Sequence, residues 1–185
     1  MAAKTNQVRI VGGVWRSRRI GFPDHAGLRP SADRVRETLF NWLGQDLHGQ
    51  TCLDLFAGSG ALGLEALSRG AASLVMVEKS RKVCESLRRN AELLGAKNLQ
   101  LHCADALEFV AAAAAQDALR FDVVFLDPPF DSSLLAQVLP GVVPLLKPGA
   151  RVYVESAMAF APAGGWRMLK RGRAGQVHFN LVTYD

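Results

Sequence analysis

The sequence predicts an α/β fold: a doubly wound, mostly parallel sheet of the Rossmann-like kind, covered by helices on both faces. Three observations carry that expectation. Short apolar runs alternate with longer amphipathic stretches from Thr51 to Val154. Successive runs end in an acidic residue or a glycine loop, as strands do at the edge where open α/β sheets bind ligands. Asp127-Pro128-Pro129 also stops an uninterrupted apolar run, because proline cannot continue a central ladder.

Taken in order, Val8 to Val11, Gly12-Gly13 and Val14 to Ile20 read as a β-hairpin. Ala32 to Leu43 reads as an amphipathic helix with Val35, Leu39, Phe40 and Leu43 inward and Ser31 as its cap. Thr51 to Phe56 is a strand running into Ala57-Gly58-Ser59-Gly60, and the next helix reaches about Arg69, stopped by Gly70. Ser73 to Val77 is β-branched and apolar and ends at Glu78. The helix after it places Val83, Leu87, Ala91 and Leu94 on one face, with Gly95 beyond. Leu99 to Cys103 leads to Asp105 and an alanine-rich helix to Gln116. Phe121 to Leu126 is the strand ahead of Asp127. Ser133 to Leu146 is helical and closes at Lys147-Pro148-Gly149, and Arg151 to Val154 is the next strand. Trp166 to Lys170 and Gln176 to Thr183, around Gly172 and Gly175, form a hairpin suited to add antiparallel strands at the sheet edge.

A length of 185 residues suits one domain. Within it, residues 1–45 form a basic hairpin-and-helix extension and 46–185 the core. With 49% apolar and 21% charged residues, disordered and fibrous classes are excluded. No apolar run approaches the ~18 residues of a membrane helix. Met1 to Asn6 lacks the apolar centre of a signal peptide, so the expected location is cytoplasmic. Cys52, Cys84 and Cys103 read as buried thiols in a reducing compartment. With no CxxC, HExxH or His/Cys cluster, no metal is expected.

The net charge of +5 is unevenly spread. Residues 1–23 carry Lys4, Arg9, Arg16, Arg18 and Arg19 without an acid, and 156–184 carry Arg167, Lys170, Arg171 and Arg173 without one. Between them stand 13 bases and 16 acids. Basic ends around a mildly acidic centre suit a polyanion gripped by the periphery, and equally suit plain solvated surface.

In a parallel sheet the strand ends converge on one edge. Gly58 and Gly60 allow a tight turn and close backbone approach to a ligand, and Asp54 can accept hydrogen bonds from an amine or from the loop. Glu78 offers two oxygens to a ribose diol. Asp105, with Ala106 beside it, is placed for an exocyclic adenine amine. Asp127-Pro128-Pro129-Phe130 is the most specific element. Each alone has a plain reading as a turn or a solvated strand end, but four in sheet order point to a nucleoside cofactor and a base. Gly58-Ser-Gly60-Ala-Leu-Gly63 also matches the dinucleotide fingerprint, which leaves a nicotinamide or flavin enzyme as the alternative. That alternative gives no role to Asp54, the Pro-Pro loop or the basic ends. A nucleoside triphosphatase would need Lys-Ser/Thr after the glycines. A non-enzymatic RNA-binding module would explain the charge but not the acids.

Asp54-Leu-Phe-Ala-Gly-Ser-Gly60, Asp127-Pro-Pro-Phe130, Arg9-Ile-Val-Gly-Gly-Val-Trp15 and the stretch from Arg29-Pro-Ser31 to Asn41-Trp-Leu43 together resemble the small-subunit ribosomal RNA guanine-N2 methyltransferases. The similarity runs from about Val8 to the end of the chain. It implies a class I methyltransferase with a seven-stranded sheet, S-adenosylmethionine as cofactor, and a guanine N2 amine of 16S ribosomal RNA, or of the small ribosomal subunit particle, as acceptor. The family usually has Thr after Arg-Pro where Ser31 stands, so a hydroxyl survives. On this reading Gly58, Gly60, Asp54, Glu78, Asp105 and Ala106 bind the cofactor. Asp127 and the Pro128 carbonyl accept the two amine N–H groups, and Phe130 stacks on an unpaired or flipped base. Arg16, Arg18 and Arg19 contact RNA backbone, with Arg29, Arg34 and Arg36 as further candidates. A monomer is expected. The acceptor chemistry alone would equally fit adenine N6 or cytosine N4.

Overall fold

A sheet with strands buried on both faces needs alternate residues of each strand to be apolar in both directions, and the central strands here meet that demand. The computed structural model describes residues 5–24, 31–116, 119–129 and 133–185. Its strands are β1 (Thr5–Arg9), β2 (Arg19–Pro23), β3 (Thr51–Asp54), β4 (Ser73–Glu78), β5 (Leu99–Cys103), β6 (Phe121–Leu126), β7 (Leu146–Ser156), β8 (Trp166–Ala174) and β9 (Val177–Tyr184). The helices are α1 (Asp33–Leu43), α2 (Ala61–Ser68), α3 (Arg81–Leu94), α4 (Ala106–Gln116) and α5 (Leu134–Val142), the last continuing into a 3₁₀ turn, Val143–Leu145. Strands β1 and β2 pair as a separate two-stranded sheet; the other seven form one sheet in the order β5-β4-β3-β6-β7-β9-β8. The pairs from β5 to β7 are parallel, and β9 is antiparallel to both β7 and β8.

The two-residue period splits the core between the faces. Cys52, Met76, Phe125 and Tyr153 pack under α1, α2 and α3. Their neighbours Leu53, Val75, Val124 and Val152 pack under α4 and α5. The chain winds outward from β3 to β5, then returns to β6 on the other side of β3. The carboxyl ends of β3 and β6 therefore flank the topological switch point, where open α/β sheets form their ligand crevice.

Several boundaries differ from those expected, each for a local reason. The N-terminal hairpin pairs Thr5–Arg9 with Arg19–Pro23 rather than Val8–Val11 with Val14–Ile20. Residues 12–17 instead form a turn docked on the end of α2: Ser68 Oγ donates to the Gly12 carbonyl at 2.6 Å, and the Val14 and Trp15 N–H groups donate to the Ser68 carbonyl and Oγ. Gly13 is required there. Its φ is +75°, and a Cβ would fall 1.8 Å from the Ser68 carbonyl oxygen. Asn90 and Ser86 of α3 bond the peptide of Gly21, so the buried face of α3 includes those polar residues, while Ala91 is half-buried. Ser31 does not cap α1; Ala32 holds the cap position and the Ser31 hydroxyl points elsewhere. Strand β7 begins at Leu146, with a register shift opposite Phe121–Val123 accommodating Pro148 and Gly149, so α5 ends earlier than expected. Strand β8 runs through Gly172, which lies against the ring of Phe179, and turns only at Gly175. Cys84 and Cys103 are joined as a disulfide with Cα atoms 6.1 Å apart, and Cys103 is exposed, so the expectation of three buried thiols holds for Cys52 alone.

Candidate active site

Asp54, the glycine loop, Glu78, Asp105, Ala106, Asp127 and Pro128 all lie at the carboxyl edge of the parallel strands. Asp54 ends β3 and is 1% exposed. Its Oδ2 accepts the Gly63 N–H at 3.0 Å, and a Cβ on residue 63 would lie 3.0 Å from that oxygen, so the approach of helix to carboxylate depends on glycine. Oδ1 is buried with no hydrogen-bond partner among the described residues. Burial, reinforced by the negative charge of Glu78, pushes the Asp54 carboxyl up to about 7 against the opposing hydrogen bonds from Gly63 and Phe56. A buried carboxylate oxygen left over in this way can still accept a donor or face a cation.

The loop is tied to the next strand. Glu78 Oε2 accepts the Gly58 N–H at 3.0 Å and Oε1 the Ser80 N–H at 2.7 Å. Both oxygens thus hold backbone, and each keeps one lone pair for a ligand hydroxyl. Gly60 has φ +82° and stands where α2 begins; its Cβ would meet Leu87 at 2.7 Å. Asp105 takes the Leu107 N–H at 2.9 Å and the Lys79 ammonium at 3.0 Å, so it caps α4 and is ion-paired as well as edge-facing. The Lys79 hydrogen bond holds its carboxyl below the ordinary range against a desolvation cost. Ala106 opens α4 and is buried.

On the other side of the switch point, Asp127 directly follows β6 and is half-buried, and Pro128 is buried behind it. Asp127 Oδ2 receives the Ser31 hydroxyl at 3.4 Å, while the same hydroxyl lies 2.8 Å from Glu155 Oε2. Tyr153 donates its phenol to that Glu155 oxygen at 2.8 Å. Burial first, then the charges of Glu155 and Asp54, push Asp127 well above the carboxylate range, with Ser31 opposing. Burial also raises Glu155 against its two hydroxyl donors. Sequence reasoning missed Glu155 and Tyr153. The available signal was an acid closing the apolar run Val152-Tyr153-Val154, the same pattern that singled out Asp127. Phe130 and Arg29 lie outside the described residues.

The arginines are spread along the flank. The turn bearing Arg16 is fixed to Ser68, and Arg18 donates to the Leu93 carbonyl at 2.8 Å. Both anchors are helix ends distant from the glycine loop, roughly 10–20 Å away at 1.5 Å per residue. Arg19 instead lines a cleft of about 490 Å³ with Gln7, Val8, Arg9, Ser31, Ala32 and Asp33, and so leads toward Asp127. Arg34 is exposed. Arg36 is fully buried, bonded to Asp33, Glu65 and the carbonyls of Arg9 and Ser31, and is structural rather than a surface contact.

Comparison with known proteins agrees in extent and kind. Residues 8–183 match the family model described as Conserved hypothetical protein 95. The chain is 43% identical over 187 residues to ribosomal RNA small subunit methyltransferase D of Escherichia coli, covering 98% of this chain and 92% of that protein. It is 39% identical over 179 residues to the Haemophilus influenzae protein of the same name, covering 95% and 93%. The solved structure of yhhF from Escherichia coli superposes with a TM-score of 0.86 at 41% identity, over 97% of this chain and 99% of that one. The Thermus thermophilus 16S rRNA N2 G1207 methyltransferase, solved with AdoMet and guanosine, shares the fold at a TM-score of 0.70 and 24% identity, over 98% of this chain and 50% of that one. An aspartate at the switch point with one carboxylate oxygen left over, a backbone-tethered glycine loop and an Asp-Pro-Pro strand end thus occur together in a chain that belongs to the family of the ribosomal RNA small subunit methyltransferases D.

Proposed function

We propose that this methyltransferase transfers a methyl group from S-adenosylmethionine to the N2 amine of a guanine in 16S ribosomal RNA. The observation that carries the reading is the pair of acids across the switch point: buried Asp54, with one oxygen unpartnered among the described residues, and half-buried Asp127, beside Pro128. Asp54 would hold the cationic methionine end of the cofactor, the loop at Gly58 and Gly60 its approach, Glu78 the ribose, and Asp105 with Ala106 the adenine. When bound, the cofactor supplies an electrophilic methyl group on sulfur.

A base amine is a weak nucleophile because its lone pair is delocalised into the ring. Asp127 takes one N–H and the Pro128 carbonyl the other, which favours a localised lone pair and stabilises the positive charge that grows on nitrogen. Asp127 also stands where the proton shed by the methylated nitrogen can be received. Phe130 would stack on the base, worth about 1–3 kcal/mol on the usual scale. RNA would approach past Arg19, with Arg16 and Arg18 farther along its path. Residues 46–185 serve as the catalytic core and 1–45 as the extension that grips RNA. The cytoplasm and a monomeric state accord with this role.

The test is labelled methyl transfer to small-subunit RNA from cells lacking this protein, followed by nucleoside analysis. The expected product is N2-methylguanosine; label in N6-methyladenosine or N4-methylcytidine would reassign the base, and no transfer would remove the reading. Asp127→Ala should lower the single-turnover rate at least ~100-fold, the scale of losing one transition-state hydrogen bond, with cofactor affinity retained.

A further inference from the structure

Glu155 takes no part in holding the amine between Asp127 and Pro128, yet its surroundings are built for a charge. It closes the buried part of β7, is 4% exposed, and sits one strand over from Asp127, with Val154 in register with Leu126. Two hydroxyls converge on its Oε2: Ser31 and Tyr153, each at 2.8 Å. Ser31 also reaches Asp127 Oδ2 at 3.4 Å, so one hydroxyl spans the two acids. A merely structural carboxylate here would be costly, since buried charges are ordinarily neutralised by a partner of opposite sign.

Among the described residues, the other polar groups around the pair are Asp54 on β3, Tyr153 on β7, Ser31, and Arg36 on α1, whose guanidinium bonds the Ser31 carbonyl at 3.3 Å rather than either acid. Strand β9 presents Phe179 opposite Glu155. Two carboxylates bridged by one hydroxyl, with no described cation bonded to either, disfavour being ionised together, and their titration belongs to the pair.

We propose that Glu155 is a positioning residue for methyl transfer, holding the Ser31 hydroxyl against Asp127 so that the two carboxylates act as one proton-sharing pair. This rests on Asp127 being the amine acceptor. With Tyr153 and Ser31 donating to Glu155, the shared proton sits preferentially on Asp127 in the empty site. The pair must give it up before Asp127 can take a proton from the amine, so the rate falls on the acid side. Replacing Glu155 by Gln removes the neighbouring negative charge and makes Asp127 easier to ionise. Tyr153→Phe makes Glu155 more basic and moves the proton toward it. Both substitutions shift the acid limb of the rate to lower pH, the second by less.

The experiment is single-turnover methyl transfer at saturating S-adenosylmethionine and RNA between pH 5 and 9, on the full chain, with thermal midpoints taken at each pH. Glu155→Gln should move the midpoint of the acid limb down by about one pH unit or more, a roughly tenfold gain at the acid end relative to its own plateau. Should Glu155→Gln fail to fold, the Tyr153→Phe profile decides by the same downward shift. An unmoved or raised midpoint, whatever the plateau, overturns the proposal. Near-wild-type transfer by Asp127→Ala would overturn it differently, by removing Asp127 from the reaction.

Discussion

Asp54 shows how a single residue can link cofactor affinity to stability. Its Oδ1 lies buried with no hydrogen-bond partner among the described residues, burial raises the carboxyl, and a ligand cation or N–H would favour the charged form. Asp54→Asn should therefore cost little folding stability near pH 8 while weakening S-adenosylmethionine binding by about 10- to 100-fold, the scale of a lost charge-assisted hydrogen bond. Calorimetry beside a thermal melt reads both quantities. An unchanged affinity would take Asp54 out of the cofactor site. The strand-end acids were legible because each closes an apolar run. What each carboxylate oxygen touches was not, since the partners of Glu78 come from backbone N–H groups 20 and 2 residues away. Ser31 illustrates the same limit. A hydroxyl just ahead of a helix reads as a cap, and only the fold brings Glu155, 124 residues on, within reach of it.

At the level of elements, an ionic knot ties α1, α2 and the N-terminal segment together. Arg36 donates to Glu65 Oε2 at 3.3 Å, to Asp33 Oδ1 at 2.6 Å and to the Arg9 carbonyl at 2.7 Å; Glu65 also accepts from Arg69 at 2.9 Å and from the Val11 N–H at 2.8 Å. Arg36 and Glu65 are both wholly buried, so Glu65→Ala would leave Arg36 with Asp33 as its one acid partner among the described residues and would take the acid from the nearly buried Arg69 as well. The expected cost is about 3–5 kcal/mol by urea unfolding, whereas Arg36→Met with Glu65→Leu should cost less than Glu65→Ala alone. A loss below about 1 kcal/mol for Glu65→Ala would mean that the knot is dispensable. Helical periodicity identified Val35, Leu39, Phe40 and Leu43 of α1 because apolar spacing is local. It could not identify Arg36, because an arginine beside an apolar stripe looks solvent-facing until its acids arrive from other elements.

The same knot fixes the hairpin, which gives its exposed arginines a rigid mount. Neutralising Arg16, Arg18 and Arg19 together should weaken RNA binding and flatten its salt dependence by up to ~0.9 for each phosphate no longer neutralised on duplex-like RNA, leaving cofactor affinity alone. Arg19, lining the cleft toward Ser31, should contribute most when the three are changed singly. An unchanged salt slope would reduce this flank to ordinary surface.

Across the whole molecule, two sets of carboxylates oppose each other in pH dependence. Asp105 and Asp122 have lowered pKa values: for Asp105 the Lys79 hydrogen bond dominates, and for Asp122 the bonds from Lys147 and Thr51 together outweigh the larger desolvation cost. Their contribution is present above the ordinary carboxylate pKa and is lost as pH falls. Asp54, Asp127 and Glu155 have raised values, with burial the leading cause in each. The folded protein keeps their protons where the unfolded chain has released them, so their contribution is present at low pH and is lost as pH rises through the folded values, about 7 for Asp54. For Asp54 alone, moving from the ordinary value to about 7 is on the order of 4 kcal/mol between pH 4 and pH 8. Because the buried set is concentrated at one crevice, the ligand-free protein should be most stable near pH ~5 and lose thermal midpoint steadily toward pH 8. S-adenosylmethionine brings positive charge to the same crevice, so the decline should become shallower in its presence, with stabilisation by the cofactor growing as pH rises. Thermal melts at pH 5, 6, 7 and 8, with and without saturating cofactor, measure both slopes. A midpoint that climbs from pH 5 to 8 without cofactor, or a cofactor-induced shift that shrinks over that range, would mean that the three acids of the crevice are already balanced by charge within the chain.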